Sequence, residues 1–103
     1  MTANLLQDLL AERGVLLADG ATGTNLFAMG LETGDAPELW NVDHPDRIAA
    51  NYQSFVDAGS DLILTNTFGG THYRLKLHDA ADRVHELNVA GVKIGCEVAA
   101  KAG

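Results

Sequence analysis

The sequence predicts an α/β fold built on two parallel strands, each followed by a polar turn and a helix. Three observations carry this expectation. Leu62, Ile63 and Leu64 form a short branched apolar run without polar alternation, the pattern of a strand covered on both faces. The run switches at once to Thr65, Asn66, Thr67, Phe68, Gly69 and Gly70. Hydroxyl, amide and aromatic groups thus stand where such a strand would end, and α/β folds bind ligands at that end. A helix closing at Gly59 leads into the run over one or two residues, the short connection of a βαβ unit.

Composition narrows the class. At 103 residues the chain holds one small domain. Seven Lys and Arg against 14 Asp and Glu give a net charge of -7, which argues against nucleic acid or an anionic membrane surface as partner. Solubility is the plainer reading of that acidity. No run approaches a transmembrane span, and Met1–Gly14 is too polar for a secretory signal. Cys96 is the sole cysteine and cannot form an internal disulfide, so a cytoplasmic, reducing compartment is expected. A chain 47% hydrophobic but only 6% aromatic implies an aliphatic, alanine-rich core.

The elements follow in order. Asn4–Arg13 reads as a short helix with Leu5, Leu6, Leu9 and Leu10 on one face, Asn4 as N-cap and Gly14 as stop. Val15–Ala18 is a brief apolar strand ending in Asp19-Gly20-Ala21-Thr22-Gly23-Thr24, a turn where the backbone approaches something closely. From spacing alone, a plain βα turn with a capping Asp explains that stretch slightly better. Its glycine spacing fits neither the P-loop nor the dinucleotide fingerprint. Asn25–Asn41 reads as a loop, with Trp40 in it as a packing residue. Asp43-His44-Pro45-Asp46 starts a helix whose apolar face is Ile48, Tyr52, Phe55 and Val56. Thr71–Leu77 suits a helical turn, and His72 and His78 have no metal-ligand spacing. A long helix then runs from Ala81 or Asp82 to about Ala100. Its Gly91 and Gly95, each unfavourable by roughly 1 kcal/mol in a helix interior, imply close packing against a neighbour.

Four stretches together resemble the start of the homocysteine S-methyltransferase family: Asp-Gly-Ala-Thr-Gly-Thr at 19–24, His-Pro-Asp-Arg-Ile at 44–48, Ala-Gly-Ser-Asp at 58–61 and Thr-Asn-Thr-Phe at 65–68. That family includes betaine–homocysteine methyltransferase, S-methylmethionine-dependent enzymes and the homocysteine domain of cobalamin-dependent methionine synthase. The resemblance implies the N-terminal portion of a (β/α)8 TIM-type barrel, with a leading helix, two parallel strands and flanking helices. Residues 1–103 would then be a single partial domain, the later strands being absent.

It also implies zinc-dependent transfer of a methyl group, from betaine or a similar donor, to the homocysteine thiolate, giving methionine. A thiol is a poor nucleophile near neutral pH, and zinc with an open position deprotonates it. The family's zinc-binding cysteines have no counterpart in this chain, so no catalytic or metal-ligating residue is expected here, and Cys96 is expected in the core of its helix. By the same resemblance Asp19 and Gly20 hold the amino-acid end of homocysteine. Thr65, Asn66, Thr67 and Phe68 line the same site, and Trp40 is a further candidate for binding the donor through cation–π attraction. Two other readings stand beside this one: a different barrel enzyme using Asp19 and Asn66 on another small acid, and a non-catalytic fragment that self-associates. With both sheet edges open, the isolated chain is expected to be either marginally stable or a homo-oligomer.

Overall fold

The computed structural model describes residues 5–102, so the expected N-cap Asn4 lies outside the described residues. The chain order is α1 (Leu5–Arg13), α2 (Thr22–Ala28), a 3-10 turn (Pro37–Leu39), α3 (Trp40–Asp43), α4 (Pro45–Asp57), α5 (His72–Lys76), a second 3-10 turn (Ala81–Arg83) and α6 (Val84–Ala102).

The local chemistry of the longer helices is as the sequence reads. Pro45 sits in the first turn of α4 with Asp46 beside it, where a missing N–H and a negative charge are both favourable. Gly14 and Gly59 end α1 and α4 with left-handed φ values of 80° and 101°. Thr71 caps α5, its hydroxyl accepting the Arg74 amide at 3.2 Å.

The helices α4 and α6 pack against each other, and α3 lies on both. Leu26, Leu31, Trp40, Ile48, Tyr52, Ile94 and Val98 form the main core between them. A smaller cluster of Leu75, Ala80 and Leu87 sits beneath α5. Ile63 packs on the main core, whereas Val15 and Leu64 are 78% and 70% exposed. Leu6 and Leu10 of α1 are also exposed. Cys96 is exposed on α6 and not a core residue.

Two further expectations are corrected. Asn25–Asn41 is not one loop, since α2 enters it and the 3-10 turn and α3 begin within it. The α/β fold with two parallel strands, and with it the barrel portion, is overturned: the described residues contain no strand, only an isolated parallel bridge between Ala18 and Leu62.

The reason lies in where the backbone groups go. Leu17 O accepts from the amides of Asp61 and Leu62, and the Asp19 amide donates to Leu62 O. The amides that should extend this ladder are taken by side chains. Leu17 N donates to Asp61 Oδ2 at 3.0 Å, and Leu64 N donates to Asp19 Oδ2 at 2.9 Å. A lone pair of extended segments also lacks the third strand or full helix cover that stabilises a small sheet. No helix among the described residues is long and apolar enough to cross a membrane.

Candidate functional site

The segment after Leu64 is fixed from below by a buried polar network. Tyr52, on α4, accepts the Asn66 amide at 2.6 Å and donates its hydroxyl proton to Gly91 O on α6 at 3.2 Å. Asn41, on α3, donates to Asn66 O and Leu87 O, both at 2.9 Å. Asn66 Nδ2 donates in return to Asn41 Oδ1 at 2.9 Å and to Pro37 O at 2.8 Å. Among the described residues no buried side-chain nitrogen or oxygen is left without a partner. A fully satisfied network in a low-dielectric interior holds its members in one geometry.

Glycine on α6 makes this possible. A Cβ at Gly91 would lie 2.7 Å from Asn41 Nδ2, and one at Gly95 3.2 Å from Thr65 Cγ2. The close packing expected of these two positions is therefore against the Asn66 network itself. Burial pushes the Tyr52 hydroxyl above its ordinary value of 10.0; the Asn66 amide opposes the rise and the negative charge of Asp19 adds to it.

Above the network lies a cleft of about 350 Å³. Leu64, Thr65, Asn66, Phe68 and Gly69 contribute to its lining from one segment. Thr22, Gly23, Pro37, Glu38 and Arg74 contribute from others. Thr65 and Thr67 share a hydrogen bond between their hydroxyls at 2.8 Å. Phe68 is 91% exposed, and Glu38, only 5% exposed, accepts the Gly69 amide on Oε2 at 3.1 Å.

Of the residues singled out from sequence, Thr65, Asn66 and Phe68 come together in the cleft, and Thr67 lies beside them. Asp19 accepts the Leu64 amide and does not line the cleft, with Gly20 exposed next to it. Trp40 is elsewhere. It is buried in the core at 7% exposure, with the Arg47 guanidinium 4.9 Å above its ring and His44 edge-on at 5.2 Å.

Sequence reasoning missed Glu38, Asn41, Tyr52 and Arg74. Asn41 and Glu38 sat in the supposed loop, and Tyr52 read as an apolar core residue. The Gly69-Gly70 pair was the available signal, because a Cβ at Gly69 would fall 2.8 Å from Glu38 Oε1. No three His, Cys, Asp or Glu side chains among the described residues converge as a metal site.

Hydroxyl, amide and aromatic groups around a cleft holding both signs of charge make a site for a small polar molecule. Residues 16–103 match the homocysteine S-methyltransferase family, and the chain belongs to it. The chain is 36% identical over 104 residues to a methionine synthase of Mycobacterium tuberculosis, covering 95% of this chain and 9% of that protein. A methionine synthase of Mycobacterium leprae is 35% identical over 100 residues, 91% of this chain and 8% of the relative. The chain thus spans less than a tenth of either relative.

Proposed function

We propose that this chain supplies part of the homocysteine site of an enzyme that methylates the homocysteine sulfur to give methionine. The observation that carries the reading is that the family match runs through the segment walling the cleft. Thr65 and Asn66 offer hydrogen-bonding groups there, and Phe68 an apolar face. Asp19, with Gly20 next to it, acts by tying down Leu64. The contribution to catalysis is positioning, since methyl transfer needs sulfur, methyl carbon and leaving group in line.

The methyl donor is the second half of the proposal. Phe68 is the exposed aromatic face that a trimethylammonium donor such as betaine would meet. Trp40 already has a cation over its ring in Arg47. Zinc, which the family resemblance implies, finds no fitting ligand set among the described residues: Cys96 stands alone on α6.

The test is a titration of L-homocysteine into the isotopically labelled chain, following amide resonances by NMR. Shifts are expected at residues 64–69 and around Glu38. Shifts confined to α6, or none at all, would sink the reading. Betaine, S-methylmethionine and methylcobalamin, each added to the homocysteine-loaded chain, discriminate donors by which one shifts Phe68 further.

A further inference from the structure

We infer that Glu38 and Asn88 are positioning residues, a pair of clamps that fix the Gly69-Gly70 corner and so hold the Phe68 ring at the rim of the cleft. Thr67–Gly70 is a tight turn, closed by the Gly70 amide donating to Thr67 O at 3.0 Å. Phe68 stands second in it and is 91% exposed, yet Gly69 and Gly70 directly after it are buried. Side chains from two distant elements meet them there. The Gly69 amide donates to Oε2 of Glu38, on the 3-10 turn Pro37–Leu39, at 3.1 Å. Asn88, on α6, donates from Nδ2 to Gly70 O at 2.7 Å and to Val84 O at 2.8 Å.

The two glycines answer a need for space, not for conformation. Neither has a left-handed φ, the usual reason for glycine in a turn. A Cβ at Gly69 would instead lie 2.8 Å from Glu38 Oε1, and one at Gly70 2.5 Å from Asn88 Oδ1. Both clamps are themselves held. Asn66 Nδ2 donates to Pro37 O next to Glu38, and Leu39 packs on the cluster of Leu75, Ala80 and Leu87. Val84 O anchors the Asn88 amide to its own helix. A carboxylate only 5% exposed, with one amide donor, recovers little of its lost hydration, so Glu38 adds little to stability. Its effect is geometric. A ring in water has no packing to orient it, and its place is set by the backbone that carries it. An aromatic face fixed in advance binds without the cost of ordering it. That a methyl donor is what meets the ring rests on the functional reading above; the clamps do not.

The experiment is NMR relaxation of the isotopically labelled full chain and three variants, Glu38→Ala, Glu38→Gln and Asn88→Asp. In the parent, residues 68–70 should be as ordered as the helices, with backbone order parameters of about 0.85. Glu38→Ala and Asn88→Asp each remove a clamping bond and should bring those residues below about 0.6 while α4 stays rigid. Glu38→Gln keeps an oxygen for the Gly69 amide and should restore the parent value. Order at 68–70 that neither loss alters overturns the clamps, as does a mobile turn in the parent. Loosening of α4 along with the turn overturns them too, since the two residues would then support the whole fold. Asn88→Asp keeps the shape of the residue it replaces and carries the test alone should Glu38→Ala fail to fold. Calorimetry adds the donor. Asn88 does not line the cleft, and Thr65 and Asn66 are held by other partners. Asn88→Asp should therefore weaken betaine on the homocysteine-loaded chain by roughly threefold, the size of one exposed cation–π contact, and leave homocysteine within about twofold. Equal losses of both ligands overturn the link to Phe68. Betaine that does not bind the parent sinks the donor reading alone, because relaxation decides the clamps without it.

Discussion

The Asp19 carboxylate accepts the Leu64 amide where a parallel ladder would offer a carbonyl. It thereby sets the start of the cleft wall, since Leu64 and Thr65 line the cleft and Asp19 does not. The role can be separated from direct contact with substrate. Asp19→Ala removes the acceptor and should weaken homocysteine binding by about tenfold, as expected for loss of a hydrogen bond to a charged group. Asp19→Asn keeps an oxygen for the amide and should stay within about twofold of the parent. Calorimetry of both variants decides the matter, because an equal loss in Asp19→Asn means that the charge itself meets the ammonium. Gly69→Ala makes a complementary case. Its Cβ would fall 2.8 Å from Glu38 Oε1, so the carboxylate must move. Destabilisation of about 1–3 kcal/mol is expected by urea unfolding, as for other overpacked sites.

At the level of elements, α6 is specialised along the face that meets Asn41, Tyr52 and Thr65. Tyr52→Phe leaves the Asn66 amide and Gly91 O without their hydroxyl partner and should lower stability by about 2–4 kcal/mol. This loss has a pH signature. The folded state raises the Tyr52 pKa above 10.0, so its stabilisation is complete below that value and disappears as pH rises through the raised one. The gap in urea midpoint between parent and Tyr52→Phe should therefore narrow on going from about pH 8 to pH 11. A constant gap would show that ionisation of this tyrosine is not linked to folding. The same elements show what the sequence discloses. Pro45, Gly59 and the 3.6-residue pattern of Ile48, Tyr52 and Val56 write α4 into the chain locally. Gly91 and Gly95 announce close packing on α6, though not with what. In α2 and α3 the glycines and Pro37 mask short helices that exist because Leu26 and Trp40 reach the core. Leu62–Leu64 has the composition of a buried strand, but pairing is a property of neighbours, and here carboxylates intercept the amides. Glu38 and Gly69 lie 31 residues apart, a contact that no local pattern encodes.

For the molecule as a whole, the extended segments leave apolar side chains in solvent. Leu17, Leu62, Leu64 and Val15 are exposed beside the single Ala18–Leu62 bridge, an edge of the kind that pairs with another chain. The radius of gyration, 14.7 Å, exceeds the ~13 Å of a compact domain of about 100 residues, in keeping with a core that covers only part of its apolar residues. Apolar association is opposed by the net charge of -7, which repels a second copy. Salt screens that repulsion, with a Debye length of about 30 Å at 0.01 M falling to about 3 Å at 1 M, and does not weaken apolar contact. We therefore expect the mass measured by light scattering after size exclusion to rise with ionic strength at fixed protein concentration. Replacing Leu17 and Leu64 by Lys should hold the chain monomeric at every salt concentration, since both side chains are already exposed and their loss leaves the core intact. A parent chain that stays monomeric from about 0.01 M to 1 M salt and melts in one sharp transition would mean that this edge is not an association surface.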